Sequence, residues 1–208
     1  MVDRQTTYVK TEGEQIPVVA DCDVVVVGAG PAGHAAAISA ARNGASVTLM
    51  ERYHHLGGMA SGGMVLVLDD MVNEGNEIVT TGIVSEFVER LEKQDAAVYP
   101  PKADHQTNWE MWQKWSRWGC IDFHKAMMPQ PIIHAVAFDP DAWKRVSLDM
   151  VRETDVNLRT HSWFSDVVRE GGKITGVIAQ TKLGRQVIRA KYVIDATGDL
   201  DVGVAAGA

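Results

Sequence analysis

Gly28, Gly30 and Gly33 fall at the spacing G-x-G-x-x-G, and an acid, Glu51, follows them at close to the 20-residue distance at which a carboxylate meets a ribose in dinucleotide folds. These residue types do not break bonds; they recognise a pyrophosphate and a sugar. Gly28 permits a tight turn. Gly30, lacking a Cβ, lets a pyrophosphate approach the backbone. Gly33 lets a helix pack closely on a sheet, and Ala36, Ala37 and Ala40 continue that small face. Glu51 accepts hydrogen bonds from ribose hydroxyls, and its charge disfavours a 2′-phosphate and so NADP.

The elements that must position these groups are legible around them. Val24 to Val27 form an apolar run suited to a buried parallel strand. The glycine turn follows, then an Ala-rich helix, then a second strand over Ala45 to Met50 that delivers Glu51. The helix N-terminus adds unpaired N–H groups and a partial positive charge, worth about 0.3–1 kcal/mol per exposed anion and up to about 2 kcal/mol when partly buried. The flanking strand, helix and acid make the signal far more specific than a glycine motif alone.

Other parts of the chain bound the function. It has 208 residues and a net charge of −7 with acids and bases interspersed, which argues against a nucleic-acid binder. Cys22 and Cys120 lie far apart, so there is no metal-spaced cysteine set and no disulfide framework. The first residues lack the apolar core of a signal peptide, and no stretch has the ~18–20 apolar residues needed to span a bilayer. The expectation is a cytoplasmic protein that acts on a small molecule, with no nucleic acid, membrane or metal.

Beyond Glu51 the sequence RYHHLGGMASGGM carries glycine pairs at Gly57–Gly58 and Gly62–Gly63. They read either as backbone packed against something bulky or as a flexible loop. Ile83, Val84, Phe87, Val88 and Leu91 have helical spacing. Trp109, Trp112, Trp115 and Trp118 recur every third residue within a proline-marked insertion. An α-helix would fan them over half its circumference, whereas a 3₁₀ turn would align them. They serve either core or interface packing, or an aromatic wall beside a substrate. A nucleic-acid platform is disfavoured, because only Lys114 and Arg117 accompany the rings. Asp139 and Pro140 open a well-signalled helix through Thr154. Strands follow over Val156–Thr160, Trp163–Arg169, Ile174–Thr181 and Val187–Ala190, and a last strand, Tyr192 to Ile194, runs into Thr197–Gly198. Ligands collect at such strand ends in α/β sheets.

With these motifs in hand, the chain resembles the FAD-dependent oxidoreductases of the glutathione-reductase fold, in the branch around fumarate reductase flavoproteins. The resemblance is carried by the nucleotide unit ending at Glu51, by HLGGMASGGM and by YVIDATGD. It implies an α/β fold: a Rossmann-like FAD-binding domain with a β-meander and a helical insertion, incomplete at the C-terminus. It also implies an arm over residues 1–22, an FAD-binding domain over 23–70 and 156–208, and a mostly helical insertion over 71–155 that begins a substrate domain. Carried over by position, Gly28, Gly30, Ala32 and Gly33 face the pyrophosphate, and Glu51 holds the ribose with Arg52 adjacent. Gly57, Gly58 and Met59 approach the flavin. Val167 or Val168 meets the adenine through backbone groups, and Thr197 and Gly198 lie near the pyrophosphate.

Departures from that family matter too. The redox CxxxxC pair of its disulfide reductases is absent after the second strand, which rules out thiol–disulfide chemistry through such a pair. Relatives continue past the position of Ala208, so the chain reads either as part of a longer oxidoreductase or as one subunit whose partner chain supplies the rest. On either reading it is expected to hold flavin weakly or to aggregate alone. Asp199 imitates the family's terminal Gly-Asp that binds the ribityl chain, but its place in the chain order argues against that role. The expected reaction is hydride transfer between an organic substrate and FAD, with no catalytic residue assigned. His55, His105, His124, His134 and Arg145 are the proton-handling candidates. A non-catalytic FAD-binding subunit and a thiazole-synthase-like, non-redox use of the fold are the alternatives, and the position of Cys120 argues against sulfur donation from a cysteine.

Overall fold

The computed structural model describes Gly13 and residues 15–208; the expected arm therefore lies largely outside the described residues. The first strand, β1, runs from Val18 to Val27, so residues 18–22, expected in the arm, belong to the sheet. It pairs in parallel with β2 (Val47–Met50) on one side. Between them runs α1 (Pro31–Arg42), with Gly30 at its N-cap and Pro31 in its first turn.

Both faces of β1 are buried. Val24 and Val26 pack against α1, whereas Val25 and Val27 join a second core with Val177 and Ile188. An uninterrupted valine run is what such a strand requires, because alternation would leave a polar residue in one core.

The middle of the chain builds a smaller, antiparallel sheet. Its strands are β3 (Val67–Leu68), β4 (Ala97–Val98) and β5 (Val136–Phe138), with β5 central. The helix α2 (Ile83–Glu92) precedes β4, and α3 (Trp109–Trp115) follows it. A 3₁₀ turn over Ser116–Trp118 continues α3, so the tryptophan repeat crosses a change of helix type; Trp109 and Trp112 meet edge to face at 5.6 Å. Trp115 is buried and donates its indole N–H to Asp104 at 2.8 Å, while Trp109 and Trp118 are exposed.

From β5 the chain passes directly into α4 (Pro140–Arg152). The Asp139 carboxylate caps it, accepting from the N–H groups of Asp141 at 2.7 Å and Ala142 at 2.9 Å. Ala142, Val146, Met150 and Val151 are buried, as the apolar spacing predicts, but they pack in the same cluster as Val26, Ala37 and Leu49. The helix therefore shares one core with α1 and the main sheet on one side and with Phe87 and Leu91 of α2 and Phe138 of β5 on the other.

The chain then adds β6 (Asn157–Arg159), β7 (Trp163–Glu170), β8 (Lys173–Thr181), β9 (Gly184–Asp195) and α5 (Asp201–Ala206). The main sheet has the order β6-β2-β1-β9-β8-β7. Its β6-β2-β1-β9 half is parallel, and β9-β8-β7 is an antiparallel meander. The two strand pieces expected over 187–190 and 192–194 are one strand, because β1 pairs with β9 continuously from Cys22↔Ala190 to Val27↔Asp195.

Candidate functional site

The carboxyl ends of β1, β2 and β9 open onto a cleft of about 690 Å³. At its floor, Gly28 takes a left-handed φ of +95°, and a Cβ there would lie 2.4 Å from the carbonyl oxygen of Ala196. Gly33 sits one turn into α1, where a Cβ would come within 1.8 Å of the Gly28 carbonyl oxygen. Gly28 lines the cleft and Gly33 does not. Gly33 therefore holds the helix against the turn, as its motif role predicts, and does not face the ligand space.

Gly30 behaves differently. A Cβ there would meet only the Cα of Gly58, at 3.9 Å, and Gly30 lines the cleft. Its loop and the loop after β2 thus meet backbone to backbone. Gly57 N–H donates to the Ala29 carbonyl at 2.9 Å, which fixes that approach. Gly57 itself faces away from the cleft: a Cβ on it would lie 2.6 Å from the Trp143 ring. The bulky group against this glycine is a side chain of α4. Gly58 and Met59 line the cleft, and Met59 is exposed.

Glu51 is buried, and its carboxylate spans the two loops. Oε2 accepts from Ala29 N–H at 2.8 Å and Oε1 from Tyr53 N–H at 2.9 Å. Each oxygen has a second lone pair for a hydroxyl. The start of β7 is tied to the same segment, with Ser162 N–H donating to the Glu51 carbonyl at 2.9 Å and His161 N–H to the Tyr53 carbonyl at 3.2 Å. Arg52, Tyr53, Trp163 and Phe164 line this end of the cleft. Val167 does not. It sits opposite Val177 on β8, and its side chain packs on the second core.

On the β9 side, Thr197 and Gly198 line the cleft, and Ala32 opposes them at the start of α1. Asp195 fixes this turn, accepting from Thr197 N–H at 3.1 Å, Thr197 Oγ1 at 2.7 Å and Gly203 N–H at 3.0 Å. Burial pushes the Asp195 carboxyl up, but these hydrogen bonds outweigh it and hold it below its ordinary value.

Two histidines on the elements that build the site have distinct environments. His34, buried on α1, meets the Ser147 carbonyl through Nε2 at 3.1 Å; burial pushes its imidazole below its ordinary value and keeps it neutral, so Nε2 carries the proton. His55 lines the cleft. Ser61 Oγ donates to the Leu56 carbonyl at 2.8 Å and meets His55 Nδ1 at 3.2 Å. With its one hydrogen so used, Ser61 accepts from Nδ1–H, which leaves the lone pair of the neutral ring on Nε2. Sequence reasoning missed Asp195, which reaches Gly203 of α5, and His34, whose partner Ser147 lies on α4; it also missed Ser61, whose partners His55 and Leu56 lie in its own loop. The only local sign was the acid preceding Ala196–Thr197–Gly198.

A profile described as FAD dependent oxidoreductase matches residues 23–208. The chain belongs to the FAD dependent oxidoreductase family. Solved structures share the fold. THI4 of Thermovibrio ammonificans superposes with a TM-score of 0.54 at 21% identity, over 89% of this chain and 61% of that one. A 3-ketosteroid-Δ4-(5α)-dehydrogenase from Rhodococcus jostii RHA1 gives 0.51 at 18% identity, over 86% and 46%. A glycerol-3-phosphate dehydrogenase from Bacillus halodurans, complexed with FAD, gives 0.50 at 16% identity, over 85% and 34%. The chain spans from about a third to about three-fifths of the length of these structures. A Methanosarcina barkeri protein from the nifH2 5′ region is 60% identical over 38 residues, 18% of this chain and 20% of that protein.

FAD is the cofactor of this family, and the cleft fits it. Gly30 and Gly58 leave a side-chain-free cradle beside the uncapped N-terminus of α1, and Glu51 keeps acceptor capacity for ribose hydroxyls. No helix among the described residues is long and apolar enough to cross a membrane.

Proposed function

We propose that this chain holds FAD in the cleft and takes part in hydride transfer between a small organic substrate and the flavin. The carrying observation is the approach of Gly30 to Gly58 with no side chain between them, beside the α1 N-terminus. On this reading the N–H groups of the first turn of α1, with Ala32 at the cleft wall, bind the pyrophosphate. Glu51 holds the adenosine ribose and keeps both loops in register. Thr197 and Gly198 close the opposite wall, and Met59 borders the flavin end. His55, with its Nε2 lone pair, is the proton-accepting group closest to hand. Bound FAD supplies the two-electron redox step.

Sulfur donation from Cys120 is disfavoured. The thiol is fully buried, burial pushes its pKa up to about 11, and it donates to the Ala135 carbonyl at 3.2 Å. The FAD reading is tested by purifying the chain, adding FAD and recording the visible spectrum before and after gel filtration. Retained flavin absorbance supports it, loss of flavin on gel filtration with binding still seen in titration shows the weak hold expected of this chain alone, and a folded chain that binds no FAD in titration refutes it. Bleaching by candidate substrates then separates an oxidoreductase from a non-catalytic FAD-binding subunit.

A further inference from the structure

The adenosine end of the cleft carries a cluster of flat side chains. Arg52 follows Glu51, and its guanidinium carbon lies 5.0 Å from the Tyr53 ring centroid and 5.6 Å from that of Trp163. The two rings stand edge to face at 6.2 Å. Trp163 opens β7, the last strand at one edge of the main sheet, and is 51% exposed. The hydrogen bonds from Ser162 to Glu51 and from His161 to Tyr53 hold the indole at the end where Glu51 addresses the ribose. A half-exposed indole is a large apolar surface left in water, and here it lines a ligand cleft.

We propose that Trp163, braced by Arg52 and Tyr53, is the platform on which the adenine ring of FAD stacks, and that it makes the site select FAD over FMN. This inference rests on the reading of the cleft as an FAD site. A purine presents an aromatic plane of the kind that indole and guanidinium faces stack on. Val167 and Val168, the alternatives expected at the adenine, do not line the cleft, whereas Trp163 and Phe164, the first residues of β7, do. A phosphate on Arg52 is the competing use of the guanidinium, and the adjacent Glu51 carboxylate opposes it.

The test compares wild-type chain, Trp163→Ala and Trp163→Phe by titration with FAD, ADP and FMN, alongside melting of the ligand-free proteins. Stacking of one base, measured by alanine substitution, corresponds to about tenfold or more in affinity. The expected result is that Trp163→Ala weakens FAD and ADP by a similar factor of about that size. Trp163→Phe should restore most of the affinity, FMN, which has no adenine, should be unaffected by either change, and the melting temperature should stay near wild type. Equal FAD affinity in wild type and Trp163→Ala overturns the proposal and leaves the FAD reading standing. So does a loss for FMN that matches the loss for FAD. A folded wild-type chain that binds neither FAD nor ADP overturns both.

Discussion

Gly30 and Gly33 stand three positions apart in one motif, yet their environments call for opposite outcomes. Alanine at Gly33 would set a Cβ 1.8 Å from a carbonyl oxygen, so Gly33→Ala should fail to give a cooperatively melting protein. Alanine at Gly30 meets only Gly58 Cα at 3.9 Å. Losing glycine at this N-cap costs about 1 kcal/mol, so Gly30→Ala should melt only about 2–4 °C lower. Its methyl group projects into the cleft, and FAD affinity measured by flavin fluorescence should fall about tenfold or more, as expected for 1.4 kcal/mol or greater. Glu51→Gln tests the neighbouring wall. Both carboxylate oxygens accept backbone N–H groups, and an amide must turn a donor toward one of them. The urea midpoint should drop by the equivalent of about 1–3 kcal/mol, with FAD affinity falling in parallel. An unchanged midpoint would show that Glu51 serves the ligand alone. The motif spacing announces all three residues, but the division of labour between Gly30 and Gly33 depends on what each Cβ would touch.

At the scale of elements, α1, α2 and α4 are joined at their solvent side by charges. Glu86 of α2 bonds Arg42 of α1 at 2.7 Å and Arg90 at 2.7 Å, and Arg90 reaches Glu153, at the end of α4, at 2.6 Å. Arg42 foremost, with Arg90, draws the Glu86 carboxyl down from 4.5 to about 2. A folded-state value below the unfolded one stabilises the fold above the unfolded value and loses that stabilisation as the carboxylate protonates. The network's contribution should therefore be intact above about pH 4.5 and fade as pH falls toward 2. Melting temperature followed between pH 6 and pH 2.5, roughly the span over which a carboxylate of this kind titrates, should decline less steeply in Arg42→Met. Added salt should blunt the difference, because the pairs are partly exposed. The α4 helix itself was legible, since Asp139, Pro140 and the spacing from Ala142 to Val151 define its start and its face. Its partner was not. An apolar face states that something covers it, and only the fold shows α1, α2 and the main sheet to be the cover.

For the molecule as a whole, Trp143 is where the parts meet. Its ring contacts Phe87 of α2 at 4.3 Å and Phe138 of β5 at 4.4 Å between centroids, and it lies against the Gly57 backbone. Trp143→Ala should cost about 3–5 kcal/mol and release the Gly57–Gly63 loop, so limited proteolysis should cut there first and FAD affinity should fall together with stability. A variant that loses stability with its FAD affinity intact would separate this joint from the site. The glycine-lined walls of the cleft were readable because they come from short motifs, each written in consecutive residues. The joint and the unbroken β9 were not, because they depend on pairings between distant segments. That distance also has a consequence in time. Val24 to Val27 take β9 as a parallel neighbour, and each partner, from Tyr192 to Asp195, lies 168 residues further along the chain. At synthesis rates of about 5–20 residues per second, the valine strand waits about 8–30 s on the ribosome with one apolar edge uncovered. The yield of this protein in a cell should therefore depend on how fast it is translated and on which chaperones meet that edge, even where the finished fold is stable.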